Sequence, residues 1–283
     1  MGQEKITAKD IIALKNKRKI TMLTAYDYPL ASLIDRAGID MILVGDSLAN
    51  VVLGLDSTTK VGMSEMLHHA KAVTRAVRHA LVIGDMPYES YQVNPHESVK
   101  NAKRFIDEAY CDCIKLEWFD RCLEVSEEII SAGIAVIGHI GLTPQTADKS
   151  GGFKVQGKDA EAAQKLIEQA SLLERLGCFS IVLECVPDKI AKLITQKLTI
   201  PTIGIGAGVH CDGQVLVTYD LLGLFERFTP KFVKKYINLS PLILKAVEEY
   251  KNEVLQEKFP EPKHSFTIKE EELAKLKMEP LPG

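Results

Sequence analysis

Short apolar runs recur along the chain and alternate with segments of helical periodicity. Most of the runs are apolar at nearly every position, as expected for strands that are covered on both faces. The predicted strands are Thr21–Ala25, Met41–Gly45, Leu81–Gly84, Cys113–Leu116, Ala135–Gly138, Ser180–Leu183, Pro201–Ile205 and Gln214–Thr218. Strands that alternate with helices pair in parallel through right-handed crossovers. Eight repeats therefore predict an α/β fold that closes into a (β/α)8 TIM barrel, with an open doubly wound sheet as the alternative.

Apolar residues spaced three or four apart predict helices between most of these strands. The clearest helical segments are Ser64–Val77, Ser98–Tyr110, Leu166–Leu173 with a stop at Gly177, and Ile190–Leu198. The connection from Gly206 to Gly213 is too short for a crossover helix. It is either the weak point of the barrel prediction or a place where the barrel is trimmed.

Length and composition fit one large domain. The chain has 283 residues, of which 46% are hydrophobic and 26% are charged, and α/β barrels often reach this length as a single domain. Residues 1–256 are predicted to form the catalytic barrel, and residues 257–283 a Pro- and charge-rich C-terminal tail.

Charge and targeting features exclude several classes of function. The net charge of −3 gives no field for binding nucleic acid or an anionic membrane. No apolar run approaches the roughly 20 residues of a membrane helix, and the N-terminus lacks the apolar region of a signal peptide. The six cysteines form no C-x-x-C pair, so we expect reduced thiols and a cytoplasmic location.

Ionisable residues follow five consecutive predicted strands. They are Asp46, Asp85, Glu117, His139 and Glu184. In a barrel these strand ends lie on the C-terminal rim, where the active sites of this fold are found. A single carboxylate there is usually a helix cap or a turn residue, but capping does not explain five in succession.

Three carboxylates that face one cavity would repel one another strongly, and a divalent cation removes that conflict. Asp46, Asp85 and Glu117 are hard oxygen donors, which suit Mg²⁺, with Mn²⁺ or Co²⁺ as substitutes. His139 is interpreted either as a nitrogen ligand or as a hydrogen-bond donor to the substrate.

Two further residues at the same rim have side chains that could take part in catalysis. Lys115 is a charge partner for Glu117, a cation that binds a substrate carboxylate, or a Schiff-base lysine, which requires a lowered pKa. Glu184 lies beyond the three acids and is free to act as a general base.

Two glycine-rich segments have less specific interpretations. Gly204–Gly208 follows the seventh strand and is either a phosphate-binding loop or a tight turn, the latter being preferred. Gly151–Lys154 is either a mobile lid or an ordinary surface loop.

At these strand ends the sequence resembles the ketopantoate hydroxymethyltransferase family over about residues 5–267. The segments that carry the resemblance are Thr24–Asp27, Val44–Leu48, Gly84–Pro87, Ile114–Glu117, Gly138–Gln145, Gly151–Gly157, Leu183–Pro187, Ile203–Gly208, Cys211–Val217 and Lys263–Phe266. The chain departs from the family pattern at Ala49-Asn50, Trp118-Phe119 and Tyr219-Asp220. These departures concern the shape of the rim and the folate contacts.

The resemblance implies a role for each candidate residue. Asp46, Asp85 and Glu117 match the magnesium-site acids, some of which act through metal-bound water. Ser47, Lys115 and His139, together with Asp46 and Asp85, match positions that hold the ketoacid, and Glu184 matches the catalytic base. The family forms (β/α)8 barrels that typically assemble as homodecamers.

The resemblance also implies the reaction. A hydroxymethyl group passes from 5,10-methylenetetrahydrofolate to 3-methyl-2-oxobutanoate through a magnesium-stabilised enolate, giving ketopantoate and tetrahydrofolate in pantothenate and coenzyme A biosynthesis. Three alternatives remain open: a metal-dependent 2-oxoacid C–C lyase of the isocitrate-lyase-like type, a Schiff-base aldolase that uses Lys115, and a catalytically silent barrel that only binds metabolites or a protein partner.

Overall fold

The described residues form a closed barrel of eight parallel strands in chain order. A computed structural model of the chain describes residues 4–146 and 155–276. The strands are β1 (Ile20–Thr24), β2 (Met41–Val44), β3 (Leu81–Asp85), β4 (Cys113–Glu117), β5 (Val136–Gly141), β6 (Ser180–Glu184), β7 (Thr202–Ile205) and β8 (Gly213–Leu216). Each strand pairs with the next, and β8 pairs with β1. The predicted TIM barrel is therefore confirmed.

The strand bounds differ from the prediction most at β5. The prediction ended this strand at Gly138 because His139 interrupts the apolar run. In the structure Ile140 and Gly141 continue the pairing with β6, so His139 lies inside the strand and not after it.

Helices occupy most of the connections. They are α1 (Ala8–Leu14), α2 (Tyr28–Arg36), α3 (Leu48–Val51), α4 (Met63–Ala76), α5 (Tyr88–Tyr91), α6 (Pro95–Asp107), α7 (Cys122–Ser131), α8 (Ala160–Leu176), α9 (Asp188–Lys197), α10 (Thr218–Leu221), α11 (Ser240–Leu255) and α12 (Glu270–Leu273). Short 3₁₀ turns lie at Thr58–Lys60, Pro144–Thr146 and Pro262–His264. The four predicted helices correspond to α4, α6, α8 and α9.

The helix ends have clear local causes. Helix α8 stops at Gly177, whose φ of 102° lies in the left-handed region that glycine adopts without strain. Helix α4 begins one residue before the predicted Ser64, because Glu65 accepts a hydrogen bond from the backbone N–H of Gly62. No helix separates β7 from β8, so the barrel lacks a crossover helix at this connection.

The barrel interior is filled at its N-terminal end, which leaves the C-terminal rim open. The inner core consists of Ile11, Ile20, Met22, Met41, Leu43, Leu81, Ile83, Cys113, Ile137, Phe179, Val182, Ile203 and Val215. Ile11 belongs to α1, which precedes the barrel. Lys15, just after α1, pairs with Asp212 at 2.6 Å, and Asp212 also accepts the backbone N–H of Thr202 at the start of β7. These contacts attach α1 to the β7–β8 seam.

The chain divides into two compact units, Met1–Tyr236 and Ile237–Gly283. The barrel and every candidate site residue belong to the first unit. Contacts group residues 237–256 with the second unit, whereas the sequence prediction set the end of the barrel domain at residue 256. None of the helices in the described ranges is both long enough and apolar enough to span a membrane.

Candidate active site

The register of the parallel strands brings the candidate residues together at the rim. Asp85, Glu117 and Glu184 are the last residues of their strands. Asp85 pairs in register with Lys115, and Glu117 pairs with His139. Side chains of paired residues on neighbouring strands point to the same face of the sheet, and here that face is the barrel interior.

Lys115 lies between acidic side chains. Its Nζ is 2.8 Å from Asp85 Oδ1 and 3.4 Å from His139 Nδ1. Burial lowers the pKa of Lys115, but Asp85, Glu117 and Asp46 outweigh that effect and raise the pKa above its ordinary value. A lysine held in this way is an ammonium ion, which suits a grip on a carboxylate and not the nucleophile of a Schiff base.

His139 connects the acid pair to the candidate base. Its Nδ1 is 3.5 Å from Glu117 Oε1, and its Nε2 is 3.2 Å from Glu184 Oε2. Burial and the charge of Lys115 lower the pKa of His139, whereas Glu117 and Glu184 raise it, with a net pKa of about 9. The ring therefore carries a positive charge at neutral pH and faces both glutamates, although Nε2 forms no hydrogen bond of regular geometry. Its role as a nitrogen ligand or as a hydrogen-bond donor to the substrate stays a prediction.

Gln145 contacts two of the acids at once. Its side-chain Nε2 donates to Asp46 Oδ2 at 2.9 Å, and its backbone N–H donates to Glu117 Oε2 at 3.1 Å. Its Oε1 accepts a hydrogen bond of 2.5 Å from the hydroxyl of Tyr91. Gln145 is 3% exposed. A neutral amide thus orients carboxylates that would otherwise repel one another.

Ser47 begins a short helix directly after Asp46. Its Oγ lies 2.8 Å from the hydroxyl of Tyr26, and the backbone N–H of Asp46 donates to Asp85 Oδ2 at 3.0 Å. The turn between β2 and α3 therefore attaches Asp46 to β3 and Ser47 to the segment after β1.

These residues line one cavity of about 910 Å³. All seven candidates contribute to its wall: Asp46, Ser47, Asp85, Lys115, Glu117, His139 and Glu184. The structure thus brings the whole predicted set together, while the chemical role of each residue remains a prediction.

The acids of the cavity have properties that suit a divalent cation. Burial raises the pKa of Asp85 to about 7 even though Lys115 opposes the shift, and Asp46 adds to it. Asp85 Oδ1 and Glu117 Oε1 are buried and accept no hydrogen bond of regular geometry, although Lys115 Nζ lies 2.8 Å from the first and His139 Nδ1 lies 3.5 Å from the second. Over residues 4–146 and 155–276, no three His, Cys, Asp or Glu side chains form a complete metal-binding group. Mg²⁺ is usually bound through one or two carboxylates, with waters and substrate oxygens. These carboxylate oxygens keep lone pairs that no hydrogen bond uses, and they therefore fit such a cation.

The glycine-rich turn after β7 packs against its neighbours. A Cβ on Gly206 would lie 2.8 Å from the ring of Phe232, and a Cβ on Gly208 would lie 2.6 Å from Asp188. Both glycines have positive φ, 64° and 80°. The tight-turn interpretation therefore holds. The second glycine-rich segment, Gly151–Lys154, lies outside the described residues.

Sequence reasoning did not assign roles to several residues of the cavity and its support. Gln145 and Tyr91 were missed because neither is charged or part of a periodic pattern. Asp220 was noted only as the residue after Tyr219, which departs from the family pattern, although Asp220 lines the cavity. The available signal was its position, since Asp220 lies four residues after the end of β8, on the same rim as the other acids.

The amino-acid sequence was also compared with those of known proteins, and it matches one family over most of its length. A sequence model of the family described as Ketopantoate hydroxymethyltransferase matches residues 5–262. The chain is 56% identical over 262 residues to 3-methyl-2-oxobutanoate hydroxymethyltransferase of Syntrophomonas wolfei, covering 93% of this chain and 95% of that protein. It is 54% identical over 274 residues to the protein of the same name from Syntrophobacter fumaroxidans, covering 97% of each.

Solved structures share the barrel at low sequence identity. Phosphoenolpyruvate phosphomutase from Streptomyces platensis subsp. rosaceus has a TM-score of 0.60 at 14% identity, covering 89% of this chain and 88% of that one. For 2,3-dimethylmalate lyase, a member of the PEP mutase/isocitrate lyase superfamily, the TM-score is 0.58 at 13% identity, with 93% and 92% covered. These similarities show the fold alone.

Proposed function

The chain belongs to the ketopantoate hydroxymethyltransferase family, and we propose that it converts 3-methyl-2-oxobutanoate to ketopantoate with 5,10-methylenetetrahydrofolate as the one-carbon donor. This is a step of pantothenate and coenzyme A biosynthesis. The observation that carries the proposal is the convergence of a buried ammonium, a charged histidine, a partly exposed carboxylate and three further acids in one cavity.

Glu184 is the proposed general base. Its side chain is only partly buried and lines the cavity, and His139 Nε2 lies 3.2 Å from Oε2. The imidazole orients this carboxylate toward the cavity, where it removes the proton from C3 of the ketoacid. A positioned base of this kind contributes about 10²–10⁴-fold to the rate.

Lys115 and Ser47 are the proposed carboxylate-binding groups. The Lys115 ammonium is buried beside Asp85, so it stays charged in a site of low dielectric, where its attraction for a substrate carboxylate is strong. The hydroxyl of Ser47, held by Tyr26, provides a neutral donor from the neighbouring strand end. Together they fix the orientation of the ketoacid.

Asp46 and Asp85, with Glu117 nearby, would hold the divalent cation. When bound, Mg²⁺, or Mn²⁺ or Co²⁺ in its place, supplies a Lewis acid that polarises the keto group. The side chains of the cavity transfer the proton, orient the ketoacid and exclude water.

The proposed overall reaction is balanced by one water molecule. The C3–H bond of the ketoacid breaks and a C–C bond forms to the one-carbon unit of the donor. Both C–N bonds between the one-carbon unit and the donor break, and water provides the hydroxyl group. The proton from C3 passes to Glu184. That proton and the remaining proton of the water replace the carbon on the two donor nitrogens, and the donor leaves as tetrahydrofolate.

Proton exchange tests the first step in isolation. The protein is incubated with 3-methyl-2-oxobutanoate in D₂O without folate, with Mg²⁺ or with EDTA, and the C3 proton signal is followed by NMR. We expect exchange that depends on Mg²⁺ and falls by about 10²–10⁴-fold in Glu184→Gln. The matched control is Glu127→Gln, an exposed glutamate of α7, which should exchange like the parent.

The result distinguishes the alternatives. Unchanged exchange in Glu184→Gln would remove this residue from the role of base. Cleavage of a 2-oxoacid without folate would support the lyase alternative. An adduct trapped by borohydride with activity that resists EDTA would support a Schiff-base aldolase at Lys115.

Assembly and location complete the proposal. We expect a homo-oligomer, a decamer by analogy with the family, with no nucleic-acid or membrane partner. Helix α11 has no buried residue, and its exposed apolar side chains include Leu242, Ile243 and Val247, which supports contact with other copies. Light scattering of the purified protein tests the subunit number. The six cysteines are free, which supports a cytoplasmic location.

A further inference from the structure

The cavity is much larger than the ketoacid requires. Its volume of about 910 Å³ is near the upper end of the range of roughly 300–1,000 Å³ that is usual for drug-sized ligands. The groups assigned to the ketoacid come from β2 to β6. In an eight-stranded barrel the opposite wall is formed by the segments after β7 and β8, and that part of the cavity is available to a second, larger molecule.

This opposite wall is aromatic. Phe225, Phe228 and Phe232 line the cavity. The rings of Phe225 and Phe228 lie 5.2 Å apart at 88°, and Phe232 packs against Gly206, where only glycine leaves room for the ring. Such a wall favours a flat, aromatic ligand.

One carboxylate in this wall has no partner. Asp220 of α10 lines the cavity and is 7% exposed. In the described part of the chain its carboxylate accepts no hydrogen bond and forms no ion pair. Burial raises its pKa to about 6, against the opposing charge of Lys235. A desolvated carboxylate without a donor is costly, and a ligand that presents two adjacent N–H groups would remove that cost.

We propose that Asp220 binds the 2-amino and N3–H groups of the pterin ring of the one-carbon donor, with the ring packed against Phe225 and Phe228. This inference rests on the proposed function, since the donor is a tetrahydrofolate. It places the donor across the cavity from Lys115 and His139, so that the one-carbon unit lies between the two substrates. The two N–H groups match the two carboxylate oxygens in a charge-assisted, bidentate contact.

Direct binding tests the inference without turnover. Calorimetry measures the Kd of tetrahydrofolate for the parent protein, for Asp220→Asn and for Asp107→Asn, an exposed aspartate at the end of α6 that serves as the control. Hydrogen bonds to a charged group predict a loss of about 10- to 100-fold in affinity for Asp220→Asn and none for the control. Folate-free C3 proton exchange should be unchanged in Asp220→Asn, which shows that the ketoacid half of the site is intact.

A modified ligand tests the same contact without any change to the protein. Tetrahydrofolate with a methyl group in place of the 2-amino group should bind the parent protein about 10- to 100-fold more weakly, since one of its two donors is absent. For the Asp220→Asn variant, replacing the 2-amino group of the ligand by methyl should weaken binding much less than it does for the parent protein. Equal affinity of the parent protein for the two ligands, or an unchanged Kd in Asp220→Asn, would overturn the inference. Absence of C3 proton exchange in the parent protein would instead contradict the proposed function.

Discussion

Gln145 shows how a neutral side chain organises a charged site. It donates to Asp46 through its side chain and to Glu117 through its backbone, while Tyr91 donates to its carbonyl oxygen. Replacing the amide by an apolar group of similar size removes the side-chain bond to Asp46 and leaves the backbone bond to Glu117. The orientation of Asp46 therefore depends on Gln145.

We expect Gln145→Leu to slow Mg²⁺-dependent C3 exchange by about fivefold, which corresponds to the roughly 1 kcal/mol of one hydrogen bond. The affinity for Mn²⁺, measured by electron paramagnetic resonance, should fall in the same variant. Gln164→Leu, which alters an exposed glutamine of α8, is the control. Parent-like exchange and Mn²⁺ affinity in Gln145→Leu would show that Asp46 needs no such support.

At this scale the sequence identified charged residues and missed their neutral supports. Asp85, Glu117 and Glu184 could be predicted because each ends an apolar run, and a charge in that position is conspicuous. Tyr91 and Gln145 meet only in the folded chain, 54 residues apart in sequence. No local pattern marks such a pair, so only the three-dimensional structure reveals it.

The first two strands are joined at their N-terminal ends by one carboxylate. Asp40, just before β2, accepts hydrogen bonds from the guanidinium of Arg18 and from the backbone N–H and hydroxyl of Thr21 in β1. Burial raises the pKa of Asp40, but these donors outweigh burial and hold the pKa below its ordinary value. The ionised carboxylate is therefore the form that the fold stabilises.

We expect Asp40→Asn to lower the free energy of unfolding by about 1.5–3 kcal/mol at pH 7, as is typical for hydrogen bonds to a charged group. Because the folded pKa is depressed, the contribution of Asp40 is fully present above the unfolded pKa, which is about 3.9. It is lost as the pH falls through the folded pKa. Urea unfolding at pH 7 and at successively lower pH should therefore show the two proteins converging in acid.

An exposed pair provides the comparison for Asp40. Asp56→Asn removes a solvent-exposed pair with Lys60 and should change stability little, since surface pairs contribute weakly. A difference between Asp40→Asn and the parent protein that stays constant down to strongly acidic pH would contradict the electrostatic account.

Elements were easier to predict than their ends. Apolar runs identified all eight strands, because strands covered on both faces have no polar positions to obscure them. The end of β5 was misplaced because His139 points into a polar cavity and not toward solvent. A polar residue inside a strand and one in a turn cannot be distinguished by hydrophobicity alone.

At the scale of the whole molecule, barrel closure turns separate strand ends into one site. Residues from Asp46 to Glu184 reach a common cavity only because β1 pairs with β8. The eightfold repeat predicted this closure. The aromatic wall that carries Phe225 and Phe228 was not predicted, because the chain after β8 contains only a short helix before an irregular segment.

Ligands that bind only the closed barrel should stabilise it as a whole. Mg²⁺ with 3-methyl-2-oxobutanoate at about 100 times the dissociation constant should add about 2.7 kcal/mol to the free energy of unfolding. This predicts a rise of several degrees in the melting temperature, measured by calorimetry, and EDTA should abolish it. Asp85→Asn should lose the rise because it removes a proposed ligand, whereas Glu127→Gln should keep it. A full rise in Asp85→Asn would mean that the cation is held elsewhere on the rim, and a rise that survives EDTA would mean that the ketoacid binds without a metal.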